Sequence, residues 1–351
     1  MESCRFILGE EVSLLEQELS VFTGAKYAVG VGSGTDGLLI SLLANGIGPG
    51  HVVITTPFTF IATAEVISLL GARPVFVDID PETFNLDVSK LSETLEGLQR
   101  RGTPANCVIP VSLYGLCPEM DAINAVAQSH GLLVIEDACQ SLGSLYKEQS
   151  SCNLCKVGVT SFFPSKPLGC FGDGGMIFTS EQSLAEKFKA LRVHGQTARY
   201  EHEFIGINGR LDALQAAVLR VKLKYFSKEI SSRQGAAAYY SKLLEPLREE
   251  IIPQYIPGHC ESVFAQYTIR IKNGKRDKVA EFLKARGIPT AIHYPMPLHL
   301  QKAFARLGYS QGDLPVAEKA SREVLSLPMH AFIKESEQDQ VVSAIRDAIK
   351  N

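Results

Sequence analysis

The sequence predicts an α/β fold, with a mostly parallel central sheet that has helices on both faces and a smaller C-terminal α+β domain. Two observations lead to this class. Short, almost continuously apolar runs alternate with stretches of helical period over the first two-thirds of the 351 residues, a pattern typical of parallel strands covered on both faces. The composition then changes near Ile251, where Pro253, Pro257 and Gly258 follow closely.

The individual elements follow from the apolar periodicity. A helical period over 12–22 is followed by a strand over 27–31, a glycine turn over 32–37 and a helix that continues to Ala44. Further strands are predicted over 52–55, 74–78, 108–111, 132–135, 176–179 and 264–271. Further helices are predicted over 60–70, roughly 211–244, and 275–286. We divide the chain into a large domain, 1–234, and a small domain, 235–351.

Composition excludes several classes of protein. The chain is 45% hydrophobic and 21% charged with a mean hydropathy of +0.06, as in ordinary globular domains. Its net charge of −3 gives no electrostatic support for nucleic-acid binding. No stretch is long and apolar enough to span a bilayer, and the first residues lack the pattern of a signal peptide. The expected compartment is therefore the cytoplasm.

The eight cysteines do not predict a disulfide scaffold in a chain of this length. Cys152 and Cys155 form a single C-x-x-C, and no second ligand pair accompanies it. Because a structural zinc site needs four ligands, we predict no metal and interpret these residues as reduced thiols on a loop.

The stretch that carries most chemical information surrounds Lys166. This lysine lies between Ser165 and Pro167, after a predicted strand and before the glycines of 172–175. Such a turn is tight and exposed, so the amine can reach into a cleft. A partly desolvated lysine amine can bond covalently to a carbonyl group. Taken alone, the pattern is equally that of a solvated surface lysine.

Two other elements lie at the predicted carboxyl ends of strands. Asp137 follows the strand 132–135, where it could hold the proton on a ring nitrogen of a cofactor or could cap a helix. The turn 32–37 opens a helix, and backbone N–H groups and the Thr35 hydroxyl make an anion site there. The turn matches neither a P-loop nor the G-x-G-x-x-G of a dinucleotide site. An amine, a carboxylate and a phosphate cradle together suit pyridoxal phosphate (PLP).

At this point the chain resembles the DegT-type sugar aminotransferases, a branch of the fold-type I PLP enzymes. The resemblance covers nearly the whole chain, from Phe6 to His330. Its landmarks are the stretches 34–36, 59–65, 75–80, 136–140, 161–166, 194–195, 208–212 and 293–295. The match is greatest to enzymes that aminate a UDP-linked 2-acetamido-3-keto-hexuronic acid for bacterial surface polysaccharide such as O-antigen. Shared stretches there are 151–154, 161–169 and Tyr267 with its neighbours.

The resemblance implies roles for individual residues around the cofactor. Lys166 would bind PLP covalently and later move protons, and Asp137 would hold the pyridine nitrogen. Gln140 would face the ring hydroxyl, and Phe60 would stack on the ring. Within one subunit the phosphate would be bound by Gly34, Thr35 and Ser161. Asn208 would reach the phosphate of the neighbouring subunit's cofactor, which implies at least a homodimer.

The resemblance also implies a sugar site. Arg210 is the candidate to meet the uronic carboxylate, since a guanidinium fork suits that group; the alternative for it is a surface ion pair with Asp212. His293 and Tyr294 would complete the site from the partner subunit, and Ser165 would line it. Phe6 would contact the substrate where relatives tend to have Tyr. Members of the family usually begin further upstream, so we expect altered contacts near Phe6.

The implied reaction is a ping-pong transamination with glutamate as amino donor. The substrate would be UDP-2-acetamido-2-deoxy-3-keto-glucuronic acid; a neutral dTDP- or UDP-linked keto-deoxysugar is the second candidate. A sugar dehydratase of the same family would carry His in place of Lys166, and an NAD-dependent oxidoreductase would need the missing glycine pattern. A catalytically weak PLP-binding or regulatory homologue stays open as a further reading.

Overall fold

The computed structural model describes Cys4 and residues 6–350. Its strands are Tyr27–Val31 (β1), Val52–Thr55 (β2), Arg73–Phe76 (β3), Cys107–Ile109 (β4), Leu133–Asp137 (β5), Leu145–Tyr146 (β6), Gln149–Ser150 (β7), Val157–Ser161 (β8), Gly175–Thr179 (β9), Gln196–Ala198 (β10), Glu201–His202 (β11), Ile251–Pro253 (β12), Cys260–Glu261 (β13), Tyr267–Ile271 (β14) and Val324–Leu327 (β15). Its helices are Glu10–Thr23 (α1), Gly34–Ala44 (α2), Ala62–Leu69 (α3), Val88–Arg100 (α4), Met120–Ser129 (α5), Gln182–Leu191 (α6), Ala213–Leu244 (α7), Arg276–Ala285 (α8), Pro315–Glu323 (α9) and Glu335–Lys350 (α10).

The central sheet confirms the predicted fold class. Its seven strands run in the order β1-β9-β8-β5-β4-β2-β3, and only β9 is antiparallel to its neighbours. The strands are almost completely buried, because helices cover both faces. Because β5 and β8 are parallel neighbours, their carboxyl ends lie side by side and bring Asp137 close to the segment that follows Ser161.

A second, three-stranded antiparallel sheet forms in the C-terminal part, in the order β12-β14-β15. It packs with the end of α7, with α8 and with α10 in a separate apolar cluster that includes Tyr240, Ile269 and Ile345. The start of α7 instead packs on α1 in the cluster that includes Leu15 and Leu219. The proposed boundary at 234/235 lies inside α7, which crosses it unbroken, and the division into domains stays a prediction.

No helix in the described part of the chain combines the length and the apolar character needed to cross a membrane.

Candidate active site

A cavity of about 510 Å³ opens at the carboxyl ends of the central strands. It brings together most of the residues that the sequence singled out, from segments more than two hundred positions apart. These are Gly34, Thr35, Phe60, Asp137, Gln140, Ser161, Ser165, Lys166, His293 and Tyr294. Within the described chain, this is where an amine, a carboxylate and a helix N-terminus face one space.

The N-terminus of α2 forms one wall of the cavity. Ser33 caps the helix, and its side chain accepts a 3.0 Å hydrogen bond from the backbone N–H of Asp36. Gly34 passes so close to the end of β8 that a Cβ atom there would lie 2.7 Å from Cys139 Sγ and 2.9 Å from Ser161 Cβ. This close approach places the Thr35 and Ser161 side chains and free backbone N–H groups at the same wall, an arrangement that fits a phosphate.

Asp137 ends β5 and is 5% exposed. Its Oδ2 accepts a 2.7 Å hydrogen bond from the Thr63 hydroxyl, and its Oδ1 accepts one of 3.2 Å from the backbone N–H of Cys139. The alternative reading of Asp137 as a helix cap fails, because only turns follow it. Two donors therefore fix a buried carboxylate whose remaining lone pairs face the cavity, as a protonated ring nitrogen requires.

Lys166 lies on the tight turn that the sequence predicts. Its backbone N–H donates a 2.8 Å hydrogen bond to the carbonyl oxygen of Phe163. Gly169 closes the turn at a point where a Cβ atom would lie 2.6 Å from the Pro164 carbonyl oxygen. Lys166 is half-buried and lines the cavity, so its amine can meet a carbonyl group there.

Gln140 is held from two sides. Its Oε1 accepts a 2.8 Å hydrogen bond from the backbone N–H of Tyr114, and its Nε2 donates one of 3.3 Å to the Tyr294 hydroxyl. The Phe60 ring is 56% exposed at the cavity, with its centroid 6.5 Å from that of Tyr294. Burial raises the pKa of Tyr294, and the nearby charge of Asp137 raises it further, so the phenol stays protonated.

The expectation that His293 and Tyr294 reach the site from a partner subunit is wrong. Both line the cavity of their own chain, because the segment after α8 folds back over the carboxyl ends of the strands. His293 Nδ1 lies 3.0 Å from Ser326 Oγ. Burial lowers the pKa of His293, and the charge of Lys166 lowers it further, which favours the neutral imidazole.

Three predicted residues do not line this cavity. Phe6 is 45% exposed and lies beside the start of α7, where its carbonyl accepts a hydrogen bond from Ala213. Asn208 and Arg210 lie in an extended segment that pairs with Val193 and Val31. Arg210 is half-buried, and the alternative ion pair with Asp212 is absent from the ion pairs of the described residues.

Sequence reasoning gave no role to several cavity residues. Thr63 lies in the landmark 59–65, and its position one turn after Phe60 was the available signal. Gln266 lies next to Tyr267, and its buried Oε1 has no hydrogen-bond partner among the described residues. Asp173 also lines the cavity; burial raises the pKa of nearby Asp36, a Ser33 hydrogen bond opposes this, and the charge of Asp173 adds to the rise.

Cys152 and Cys155 of the C-x-x-C segment do not line this cavity. Cys152 is buried and Cys155 is half-buried, both with free thiols. Burial raises the pKa of both thiols, to about 12 for Cys155, so neither is a reactive thiolate. Residues 4 and 6–350 contain no group of three or more His, Cys, Asp or Glu side chains that could hold a metal ion.

Comparison with known proteins gives a consistent result. The model of the DegT/DnrJ/EryC1/StrS aminotransferase family matches residues 1–346. A Pseudomonas aeruginosa UDP-2-acetamido-2-deoxy-3-oxo-D-glucuronate aminotransferase is 50% identical over 94% of this chain and 88% of its own length. A Geobacillus stearothermophilus protein named pleiotropic regulatory protein is 46% identical over 99% and 91%. The crystal structure of a Brucella abortus DegT/DnrJ/EryC1/StrS aminotransferase is 40% identical, with a TM-score of 0.94 over 99% of this chain and 92% of that one.

Proposed function

This chain belongs to the DegT/DnrJ/EryC1/StrS aminotransferase family, and we propose that it aminates UDP-2-acetamido-2-deoxy-3-keto-glucuronic acid with glutamate as donor. Family membership makes it a PLP-dependent sugar aminotransferase. The assignment of this particular sugar substrate is supported by the 50% identity to the Pseudomonas relative. The observation that carries the proposal is the single cavity shared by Lys166, Asp137 and the N-terminus of α2. We place the reaction in the cytoplasm, in the synthesis of surface polysaccharide such as O-antigen.

The residues present fit PLP. The N-terminus of α2 with Gly34, Thr35 and Ser161 would hold the phosphate, and Asp137 would face the pyridine nitrogen. Phe60 would cover the ring, while Gln140 would lie at the ring hydroxyl. When bound, PLP supplies an electron sink for the carbon that exchanges its amino group.

The side chains of this chain have separate tasks in the reaction. The Lys166 amine would hold the cofactor through its aldehyde group and would move a proton at the reacting carbon of the amino acid or sugar. Asp137, fixed by Thr63 and Cys139, would keep the ring nitrogen protonated throughout. Ser165, His293 and Tyr294 would line the sugar part of the cavity.

We further propose that two subunits share each site. Residues two apart in an extended segment point to the same side, and Asn208 and Arg210 stand in such a relation around the buried Gly209. Neither lines the cavity of its own chain. If Asn208 reaches the phosphate of a neighbouring cofactor, Arg210 is carried to the same neighbouring site, where its guanidinium suits a uronic carboxylate.

One alternative keeps a specific observation in its favour. The Geobacillus relative bears a regulatory name, so a weakly catalytic PLP-binding homologue is the second candidate. The retention of Lys166 and Asp137 in one cavity favours catalysis over that reading.

Substrate identity is tested in the reverse direction with purified PLP-loaded enzyme. Three amino sugars serve as donors: UDP-2-acetamido-3-amino-glucuronic acid, its analogue without the carboxylate, and a dTDP-linked 3-amino-deoxysugar. We expect the amino uronic acid to be the donor that changes the absorbance band of bound PLP at the lowest donor concentration. Arg210→Gln should raise the KM for this acidic sugar about tenfold or more and leave the KM for the neutral analogue unchanged. Equal KM values for the acidic and neutral UDP sugars would overturn the uronate assignment.

A further inference from the structure

The turn that carries Lys166 is tied to helix α7 by two side chains. Gln215 and Lys222 lie about two turns apart on α7, so they project from the same face of the helix. Gln215 Oε1 accepts a 2.8 Å hydrogen bond from the backbone N–H of Phe171. The Lys222 ammonium donates to the carbonyl oxygen of Gly169. Both directions are fixed, because a backbone N–H and an ammonium group can only donate.

These two bonds reach Lys166 through contacts within the turn itself. The backbone of Gly169 lies against the first half of the turn, since a Cβ atom there would be 2.6 Å from the Pro164 carbonyl oxygen. The backbone N–H of Cys170 donates a 2.8 Å hydrogen bond to the carbonyl oxygen of Phe162. The two halves of the turn are therefore held against each other, and a shift of the second half also moves Lys166.

The second half of the turn is also packed closely on α7. The buried side chains of Leu168 and Cys170 lie in the apolar cluster that contains Leu219 of α7. A Cβ atom at Gly172 would be 2.9 Å from Gln215 Nε2, so this side chain fills the space beside the loop. Apolar side chains and backbone groups of successive residues thus contact the same helix, which fixes the position of the loop from one side.

Lys222 binds the loop with a charged group that forms none of the ion pairs found among the described residues. The residue is half-buried, and partial removal of an ammonium group from water costs free energy. On the same helix, Arg220 pairs with Glu11 and Glu18 of α1. The loop carbonyl oxygen, and not a salt bridge, therefore accounts for the placement of the Lys222 ammonium.

We propose that Gln215 and Lys222 are positioning residues, which hold the turn so that the Lys166 amine lies at the reacting carbon of the substrate. This inference rests on the proposed function for the role of Lys166. Proton transfer depends steeply on the position of the group that carries the proton. Neither Gln215 nor Lys222 lines the cavity of its own chain, so both act through the turn.

The test measures the glutamate half-reaction of PLP-loaded enzyme by stopped-flow absorbance. Lys222→Met keeps the length and the apolar stem of the side chain but removes the donor. We expect its rate constant at saturating glutamate to fall about tenfold, with little change in the glutamate concentration that gives half the maximal rate. Lys222→Arg keeps a donor and should restore most of the rate. Lys224→Met, on the same helix but exposed, is the matched control and should behave as the wild type.

An enzyme without Lys166 separates positioning from a general loss of structure. In Lys166→Ala loaded with PLP, a small primary amine such as ethylamine, added to the solution, can carry the proton and does not depend on the turn. Lys222→Met should then leave the rate with ethylamine unchanged, although it slows the enzyme that contains Lys166. A tenfold loss in both backgrounds would overturn the proposal, because the effect would not act through Lys166.

Gln215→Leu is the second variant, in case Lys222→Met does not fold. It removes the acceptor for the Phe171 N–H and should slow the same step about tenfold, whereas Gln215→Glu keeps an acceptor and should not. Wild-type rate constants in both Lys222→Met and Gln215→Leu would contradict the proposal. Failure of the proposed function looks different, since glutamate would then leave the absorbance of the PLP-loaded wild-type enzyme unchanged.

Discussion

The hydroxyl of Thr63 on α3 donates a 2.7 Å hydrogen bond to Oδ2 of Asp137 at the end of β5. Thr63 is 1% exposed, so the contact is shielded from water. Hydrogen bonds to a charged, buried acceptor are among the stronger ones. The direction in which Asp137 presents its carboxylate therefore depends on a residue of helix α3, outside the strand that carries Asp137.

Thr63→Val should weaken the enzyme without removing any group that touches the reacting atoms. We expect roughly a tenfold loss in kcat/KM for both half-reactions, because the loss of about 1.5 kcal/mol leaves Asp137 less well oriented. Thr63→Ser keeps the hydroxyl and serves as the control. A Val variant with normal rates in both half-reactions would show that the Cys139 N–H alone orients the carboxylate.

Gly34→Ala should impair cofactor binding. The added Cβ would lie 2.7 Å from Cys139 Sγ and 2.9 Å from Ser161 Cβ, so the turn must move away from the end of β8. We expect the dissociation constant for PLP to rise about tenfold or more, measured by fluorescence or absorbance titration. Gly48→Ala is the matched control, because its Cβ would meet only the Leu70 carbonyl oxygen at 3.8 Å. Equal affinities in the two variants would contradict the account of the turn.

Two inactive variants should complement each other if subunits share the sites. Lys166→Ala removes the amine, and Arg210→Glu repels a uronic carboxylate. In randomly reassorted dimers from co-expression, half the dimers are mixed, and one of their two sites would hold both native residues. About a quarter of wild-type activity should return with the uronic sugar. Activity no higher than that of the separate variants would place Lys166 and Arg210 at sites of a single chain, or Arg210 outside the site.

The stability of the protein should depend on Glu136. This side chain is fully buried, and burial raises its pKa to about 7 against hydrogen bonds from Ser112, Ser151 and the Cys152 N–H. In the unfolded chain Glu136 ionises at its lower, ordinary pKa. Its contribution to the free energy of unfolding is therefore fully present below about pH 4.5 and is lost as the pH rises through 7. The loss between these limits has an upper bound of about 3 kcal/mol.

Glu136→Gln, which stays neutral, provides the reference for this prediction. Urea unfolding of both proteins at pH 5 and pH 8 should show a larger fall in the free energy of unfolding for the wild type. The constant cost of the substitution cancels in the comparison between the two pH values. Parallel pH dependence in the two proteins would show that Glu136 does not change its charge in this range.

The features that could be predicted from the sequence are those that depend on residues adjacent in the chain. The glycine turn at 32–37, the lysine turn at 163–169 and the strand that ends at Asp137 are local patterns, and the structure places all three at one cavity. The prediction was wrong for His293 and Tyr294, whose position depends on the path of a long segment of the chain. Nothing local to His293 and Tyr294 indicates whether their loop returns to its own sheet or to a partner's.

The hydrogen-bond partners of the site residues could not be predicted from the sequence either. Thr63 and Asp137 are 74 positions apart, and His293 and Ser326 are 33 apart. Which hydroxyl faces which acceptor depends on strand register and helix rotation, and these are set by packing over the whole core. A buried hydroxyl that orients a site residue has the same sequence appearance as one that satisfies a backbone group.

We propose that Lys166 anchors PLP in a working aminotransferase, and an absorbance experiment can test this proposal. Purified protein is given PLP, and its spectrum is taken before and after excess glutamate, with Lys166→Ala alongside. We predict a visible band for the wild type that glutamate converts to a shorter-wavelength band, and no catalytic turnover in Lys166→Ala. A wild-type band that glutamate leaves unchanged, or full turnover in Lys166→Ala, would contradict the claim.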